Sequence, residues 1–172
     1  MSTSASPVSA RVVFIGAGPG EADLITVRGA RVLAQAKVVL FDALADPTLR
    51  DIAPSAEWID VGKRGFSGKP GSDFNGQTRI NDLLIEHARE VGQRFGADAT
   101  VARLKGGDPS LFGRLEEELH ALRSEGIACE VVPGVTSALA AAAATQRPLT
   151  RRGTGRSVSF TTAMTRTGDL QC

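Results

Sequence analysis

The sequence predicts an α/β fold: a mainly parallel five-stranded sheet with helices on both faces, followed by the first strand of an incomplete second α/β domain. Two observations carry that expectation. Five short apolar runs recur along the 172 residues with helix-patterned segments between them, and each run empties into a loop rich in Gly, Pro, Asp or Lys. Strands that alternate with helices can be joined as parallel neighbours, and the helical crossovers then cover both faces.

The expected strands are Arg11-Val-Val-Phe-Ile15, Lys37-Val-Val-Leu-Phe41, Glu57-Trp-Ile-Asp-Val61, Thr100-Val-Ala-Arg-Leu104 and Cys129-Glu-Val-Val132. Leu24 to Ala36, Arg79 to Val91, Leu115 to Ser124 and Ser137 to Thr145 read as helices. In the second of these Ile80, Leu83, Leu84 and Ala88 fall at three- and four-residue spacing. Gly62 to Gly76 holds five glycines without apolar periodicity and reads as a long mobile loop that could serve as a lid. The domain boundaries expected are residues 10–146 for the first domain, 147–156 for a linker and 157–172 for the start of the second. Ser157 to Ala163 would be the latter's first strand.

Composition excludes several classes. Hydrophobic residues at 42% and charged residues at 23% suit a packed globular core rather than a disordered chain. The net charge of +1 supplies no field that would gather nucleic acid or an anionic membrane. No apolar run approaches the ~20 residues that cross a bilayer, and Met1 to Ala10 lack the basic start and apolar stretch of a secretory signal. Cys129 and Cys172 are too few for a metal cage and read as free thiols, so no metal site and a cytoplasmic location are expected.

Three clusters at expected strand ends hold the unusual chemistry. Gly16-Ala-Gly-Pro-Gly20 breaks the dinucleotide fingerprint, since Glu21 stands where its last glycine would be and Pro19 has no amide proton for a phosphate. Gly106-Gly-Asp-Pro109 lets the backbone approach a ligand closely, with Asp108 able to accept hydrogen bonds from hydroxyls. That suits an adenosyl amino acid better than a phosphate. Val132-Pro-Gly-Val-Thr-Ser137 ends the fifth strand and opens a helix that Thr136 could cap. Taken singly, each cluster also reads as an ordinary turn or helix entry.

Together and in this order the clusters resemble the uroporphyrinogen III C-methyltransferases among the tetrapyrrole methylases. The resemblance runs from about Val12 to about Thr165. It includes Val39-Leu-Phe-Asp-Ala-Leu44, Val61-Gly-Lys-Arg64, Gln77-Thr-Arg-Ile-Asn81, Phe112-Gly-Arg114 and Pro148-Leu-Thr-Arg-Arg-Gly153. It implies S-adenosylmethionine as methyl donor and transfer of two methyl groups to uroporphyrinogen III, giving precorrin-2 through precorrin-1 in sirohaem or cobalamin synthesis. By motif matching it implies Asp42 as proton acceptor and Lys63 as proton donor, and it assigns Pro19, Gly106, Gly107, Asp108, Leu111, Thr136 and Ser137 to donor binding. Arg64, Arg114, Arg151 and Arg152 are further candidates for the substrate's carboxylates. The resemblance also implies a homodimer and a second domain that completes the cleft, so little activity is expected of these 172 residues alone. Alternatives are another precorrin methyltransferase and a donor-binding remnant without turnover.

Overall fold

The computed structural model describes residues 8–42, 45–62 and 73–162. Its centre is one five-stranded sheet, built from β1 (Arg11–Gly16), β2 (Ala36–Phe41), β3 (Glu57–Asp60), β4 (Thr100–Lys105) and β5 (Cys129–Val132). The order across the sheet is β3-β2-β4-β1-β5, and every pairing is parallel. The helices are α1 (Val27–Leu33), α2 (Asp73–Phe95), α3 (Leu115–Ser124) and α4 (Ser137–Ala144). Short 3-10 turns occupy Ala22–Leu24 and Pro47–Ile52.

A parallel sheet covered on both faces buries its central strands completely, and their sequences are correspondingly apolar without alternation. Val12 to Ile15 and Val101, Ala102 and Leu104 are all fully buried. Strand period divides them between two cores. Val12, Phe14, Leu40 and Val101 pack with Leu84 and Ala88 of α2 and Leu122 of α3. Val13, Ile15, Val39, Ala102 and Leu104 pack with Leu33 of α1 and Leu49 of the second 3-10 turn. At the β2–β3 edge Phe41 meets Trp58 edge-on at 5.7 Å, and the Trp58 indole N–H donates to the Ala53 carbonyl at 3.0 Å.

The register aligns the carboxyl ends of the strands. Phe41 and Ile15 both lie opposite Leu104, and Val132 lies opposite Ile15. One step further along, Asp42, Lys105, Gly16 and Pro133 come out together on one edge of the sheet. The chain leaves β1 toward β2 and leaves β4 toward β5, in opposite directions from adjacent strands. Ligand crevices in open α/β sheets form at such switch points.

The sequence reading needs three corrections. The helix expected over Leu24 to Ala36 starts later, because Thr26 takes an extended conformation and caps α1 by accepting from the Gly29 N–H at 3.0 Å. Part of the expected Gly62–Gly76 loop is helical, since α2 begins at Asp73, while residues 63–72 lie outside the described residues. The strand expected over Ser157 to Ala163 is absent at 157–162: that exposed segment joins no sheet ladder among the described residues, and a strand needs one. Ala163 lies outside the described residues.

Leu84 is wholly enclosed between α2 and the sheet, so Leu84→Ala leaves a cavity that the parallel strands cannot close. Denaturant unfolding should show a loss of about 2–5 kcal/mol.

Candidate functional site

Three loops meet at the carboxyl edge, and glycine is what lets them meet. A Cβ on Gly16 would stand 2.5 Å from the Gly134 Cα and 2.7 Å from the Gly107 carbonyl oxygen, separations that real side chains do not show. The loop after β1 and the loop after β4 also exchange hydrogen bonds. The Gly107 N–H donates to the Gly18 carbonyl at 2.7 Å, the Gly18 N–H returns a bond at 3.3 Å, and the Ala17 N–H donates to the Lys105 carbonyl at 2.8 Å. Gly107 holds φ +66°, which its lack of a Cβ permits.

Asp108 joins the third loop to these two. One carboxylate oxygen accepts from the Gly134 N–H at 2.8 Å, and the other accepts from the Ser110 N–H at 2.8 Å and from the Ser110 hydroxyl. Partial burial pushes this carboxyl up, but the bonds from Ser110 and Gly134 outweigh it and hold Asp108 below the ordinary value of 3.8. Asp108 therefore ties the loop after β4 to the loop after β5, a structural duty that the sequence reading did not assign to it. Thr136 does occupy the N-cap position of α4, but its side chain makes no capping bond. Its hydroxyl belongs to the cleft.

The cleft above these loops measures about 1070 Å³. Pro19, Gly106, Gly107 and Asp108 line one side of it, with Leu111, Thr136 and Ser137 continuing the same wall. Asp42 lines it from the end of β2. Of the residues nominated from sequence for catalysis and donor binding, Lys63 alone lies outside the described residues, as does Arg64 among the arginines. Arg114 lines the cleft and pairs through both arms of its fork with Glu117, at 2.8 Å each. Arg151 and Arg152 are exposed and are not part of the lining.

Sequence reasoning missed the charged group that β4 brings to the cleft. Arg103 and Lys105 lie two residues apart on β4 and share the face that carries Val101. They are 3% and 5% exposed, and both line the cleft. Between them stands the fully buried Glu118 of α3. It accepts from the Arg103 Nε at 3.0 Å through one oxygen and from the Lys105 Nζ at 2.5 Å through the other. The Arg103 guanidinium also donates to the Leu104 carbonyl at 2.9 Å and stands 3.8 Å from the Asp42 carboxylate. Burial, then the neighbouring Arg103, push the Lys105 ammonium below its ordinary range, while Glu118 and Asp42 pull it back up. The available signal was a charged pair inside an otherwise apolar strand, Thr100-Val-Ala-Arg-Leu-Lys105.

The chain matches the family model for tetrapyrrole (corrin/porphyrin) methylases over residues 11–171. It belongs to that family. A uroporphyrinogen-III C-methyltransferase of Cyanidium caldarium is 46% identical to this tetrapyrrole methylase chain over 153 residues, covering 88% of the chain and 56% of the relative. A siroheme synthase of Tolumonas auensis is 47% identical over 152 residues, covering 88% of the chain and 30% of the relative. The chain thus spans about half the length, or less, of these two relatives. Among solved structures, the native uroporphyrin III C-methyl transferase of Thermus thermophilus superposes with a TM-score of 0.73 at 38% identity, over 94% of this chain and 63% of that one. The Thermus thermophilus enzyme complexed with S-adenyl homocysteine gives 0.65 at 42% identity, over 84% and 55%. No helix among the described residues is long and apolar enough to cross a membrane.

A Cβ at Gly16 must displace the Gly134 backbone and the Gly107 carbonyl, and Gly107 lines the cleft, so Gly16→Ala should lower thermal stability and weaken binding of S-adenosylhomocysteine together. Calorimetry and a melting curve on one preparation test this. Asp108 adds a pH dependence. Its folded value lies below 3.8, so its stabilisation is complete above that pH and is lost as pH falls through the lower folded value. Asp108→Asn should flatten that acid limb in a stability-against-pH series.

Proposed function

We propose that the chain carries the cleft of an S-adenosylmethionine-dependent uroporphyrinogen III C-methyltransferase. Two methyl groups are passed to ring carbons, giving precorrin-2 by way of precorrin-1, on the route to sirohaem or cobalamin. One observation carries the reading: every described residue nominated for donor binding lines the same cleft as Asp42, which faces it from a different strand. The relatives' names and the Thermus thermophilus complex with S-adenyl homocysteine support it.

The residues present fit the donor. Gly18, Gly106 and Gly107 line the cleft without side chains, a stretch of bare backbone against which a flat nucleoside can lie, and the close packing of Gly16 and Gly134 holds the Gly107 carbonyl in place behind it. Leu111 adds an apolar surface, and Thr136 and Ser137 add hydroxyls for the polar end. S-adenosylmethionine supplies an electrophilic methyl group and leaves as S-adenosylhomocysteine. Against that wall the chain's task is alignment and proton transfer, because the reduced pyrrole carbon is already nucleophilic. Asp42 accepts the proton that the macrocycle loses, from a neighbouring position, once the substituted ring carbon has taken the methyl group, and Lys63 is the donor. The tetrapyrrole's carboxylates meet cationic groups at the cleft, Arg114 among them.

The partner is this small tetrapyrrole rather than nucleic acid or membrane, consistent with a net charge of +1, and the working assembly is a homodimer. Because the spanned share of the relatives is partial, turnover by these 172 residues alone is expected to fall well below that of a full-length relative. A second reading has its own observation. The cobalamin biosynthetic enzyme cobalt precorrin-4 methyltransferase superposes at a TM-score of 0.70 and 34% identity, over 94% of this chain. Product mass and methyl position separate the two.

The test is transfer of labelled methyl from S-adenosylmethionine to uroporphyrinogen III, with donor-product affinity measured alongside. Asp42→Asn should lower the rate about 100-fold or more with S-adenosylhomocysteine affinity unchanged. A rate unaffected by that substitution removes Asp42 as the base. Tight S-adenosylhomocysteine binding without any turnover marks a donor-binding remnant.

A further inference from the structure

We infer that Glu118 is a positioning residue of this cleft: from beneath its wall, one buried carboxylate holds Arg103 against Asp42 and holds Lys105 at the cleft in its charged form. The inference rests on the reading of the cleft as a methyl-transfer site.

Glu118 is 0% exposed and is absent from the cleft lining, whereas Arg103, Lys105 and Asp42 all reach it. Any effect of Glu118 on a bound ligand therefore passes through the two cations. Its oxygens divide between them, 3.0 Å to Arg103 and 2.5 Å to Lys105, so neither cation can leave without unpairing a buried charge. The Arg103 guanidinium is further oriented by its bond to the Leu104 carbonyl at 2.9 Å, and its remaining arm stands 3.8 Å from Asp42.

Packing alone does not call for these charges. The layer behind them is apolar, with Phe14, Leu40, Val101 and Leu122 fully or nearly fully buried, and an uncharged trio of similar volume would fill such a layer equally well. What the charged trio adds is a fixed cationic wall beside Asp42. The groups acting on Lys105 are Arg103 of its own strand, Glu118 and Glu117 of α3, and Asp42 beyond β2. From α2 the side chain reaching the cleft is the neutral amide of Gln77. With two carboxylates and two cations at its centre, the set is balanced only while Glu118 is charged.

The experiment compares the full chain with Glu118→Gln and Glu118→Asp. It follows labelled methyl transfer across pH, S-adenosylhomocysteine affinity by calorimetry, and titration of the Lys105 ammonium by NMR. Glu118→Gln should lower kcat at least about tenfold while donor affinity stays within about twofold. The alkaline limb of its rate profile should move to lower pH, because the carboxylate that kept Lys105 protonated is gone. Glu118→Asp keeps the charge but is too short to reach both cations, so it should recover part of the rate and part of the shift. Unchanged kcat and pH profile in Glu118→Gln overturn the inference. If the parent chain shows neither turnover nor S-adenosylhomocysteine binding, the methyl-transfer reading is what has failed. The Lys105 titration then decides the positioning role: a shift to lower pH supports it and an unmoved curve overturns it. If Glu118→Gln does not fold, the same comparison is made with Glu118→Asp, and a Lys105 titration identical to the parent's overturns the inference.

Discussion

The contact among Gly16, Gly107 and Gly134 is the constraint on which the cleft depends. Three loops from three adjacent strands approach so closely that a single added Cβ would force backbone apart. Their mutual hydrogen bonds, Gly107 to Gly18 and Gly134 to Asp108, are possible only at that separation. The parallel register brings the strand ends level, and the glycines let the loops turn across them without side chains in the way. The result is a stretch of bare backbone at Gly106 and Gly107 in the cleft lining, on which a ligand's flat face can rest.

The charged part of the cleft is built on the opposite principle. β4 presents alternate residues to the core shared with α2 and α3, so after Val101 the same face must carry Arg103 and Lys105. Two cations taken out of water would be costly alone, and α3 answers with Glu118 from its first turn. Asp42 adds the second carboxylate where the wall opens to the cleft. The cleft lining thus holds bare backbone at Gly106 and Gly107 beside the charged Arg103 and Lys105, an arrangement suited to the proposed pairing of a nucleoside donor with a substrate rich in carboxylates.

Much of the fold was legible because a parallel sheet with two covered faces leaves a plain record. The central runs from Arg11, Lys37 and Thr100 are mostly apolar on both sides, and glycine or aspartate stands within two residues of the end of all five runs. The donor-side residues were legible for a related reason: Gly106, Gly107 and Asp108 depart from ordinary strand-to-helix chemistry at a strand end. Less legible were the start of α1, where Thr26 competes for the helix's first amide bonds, and the segment after Gly155, whose β-like composition finds no partner strand among the described residues. Glu118 was hidden by its neighbours. Within Leu115-Glu-Glu-Glu-Leu119 three consecutive carboxylates read as a solvated helix start, yet only Glu116 and Glu117 are that.

By itself, the sequence determined the alternation of strand and helix, the edge at which unusual residues collect, and the membership of Asp42, Asp108 and the glycines in that edge. Those properties are local, set by side-chain period and by what glycine and proline allow. Only the tertiary structure decided that Asp108 spends its carboxylate binding Gly134 and Ser110, and that Glu118 alone of its run turns inward. Both depend on which strands lie side by side. The order β3-β2-β4-β1-β5 sets β4 beside both β1 and β2, and so brings residues 26 and 61 positions apart in the chain into contact. No spacing along the chain records that order, because it is settled by how the helices cross the sheet and bury their faces.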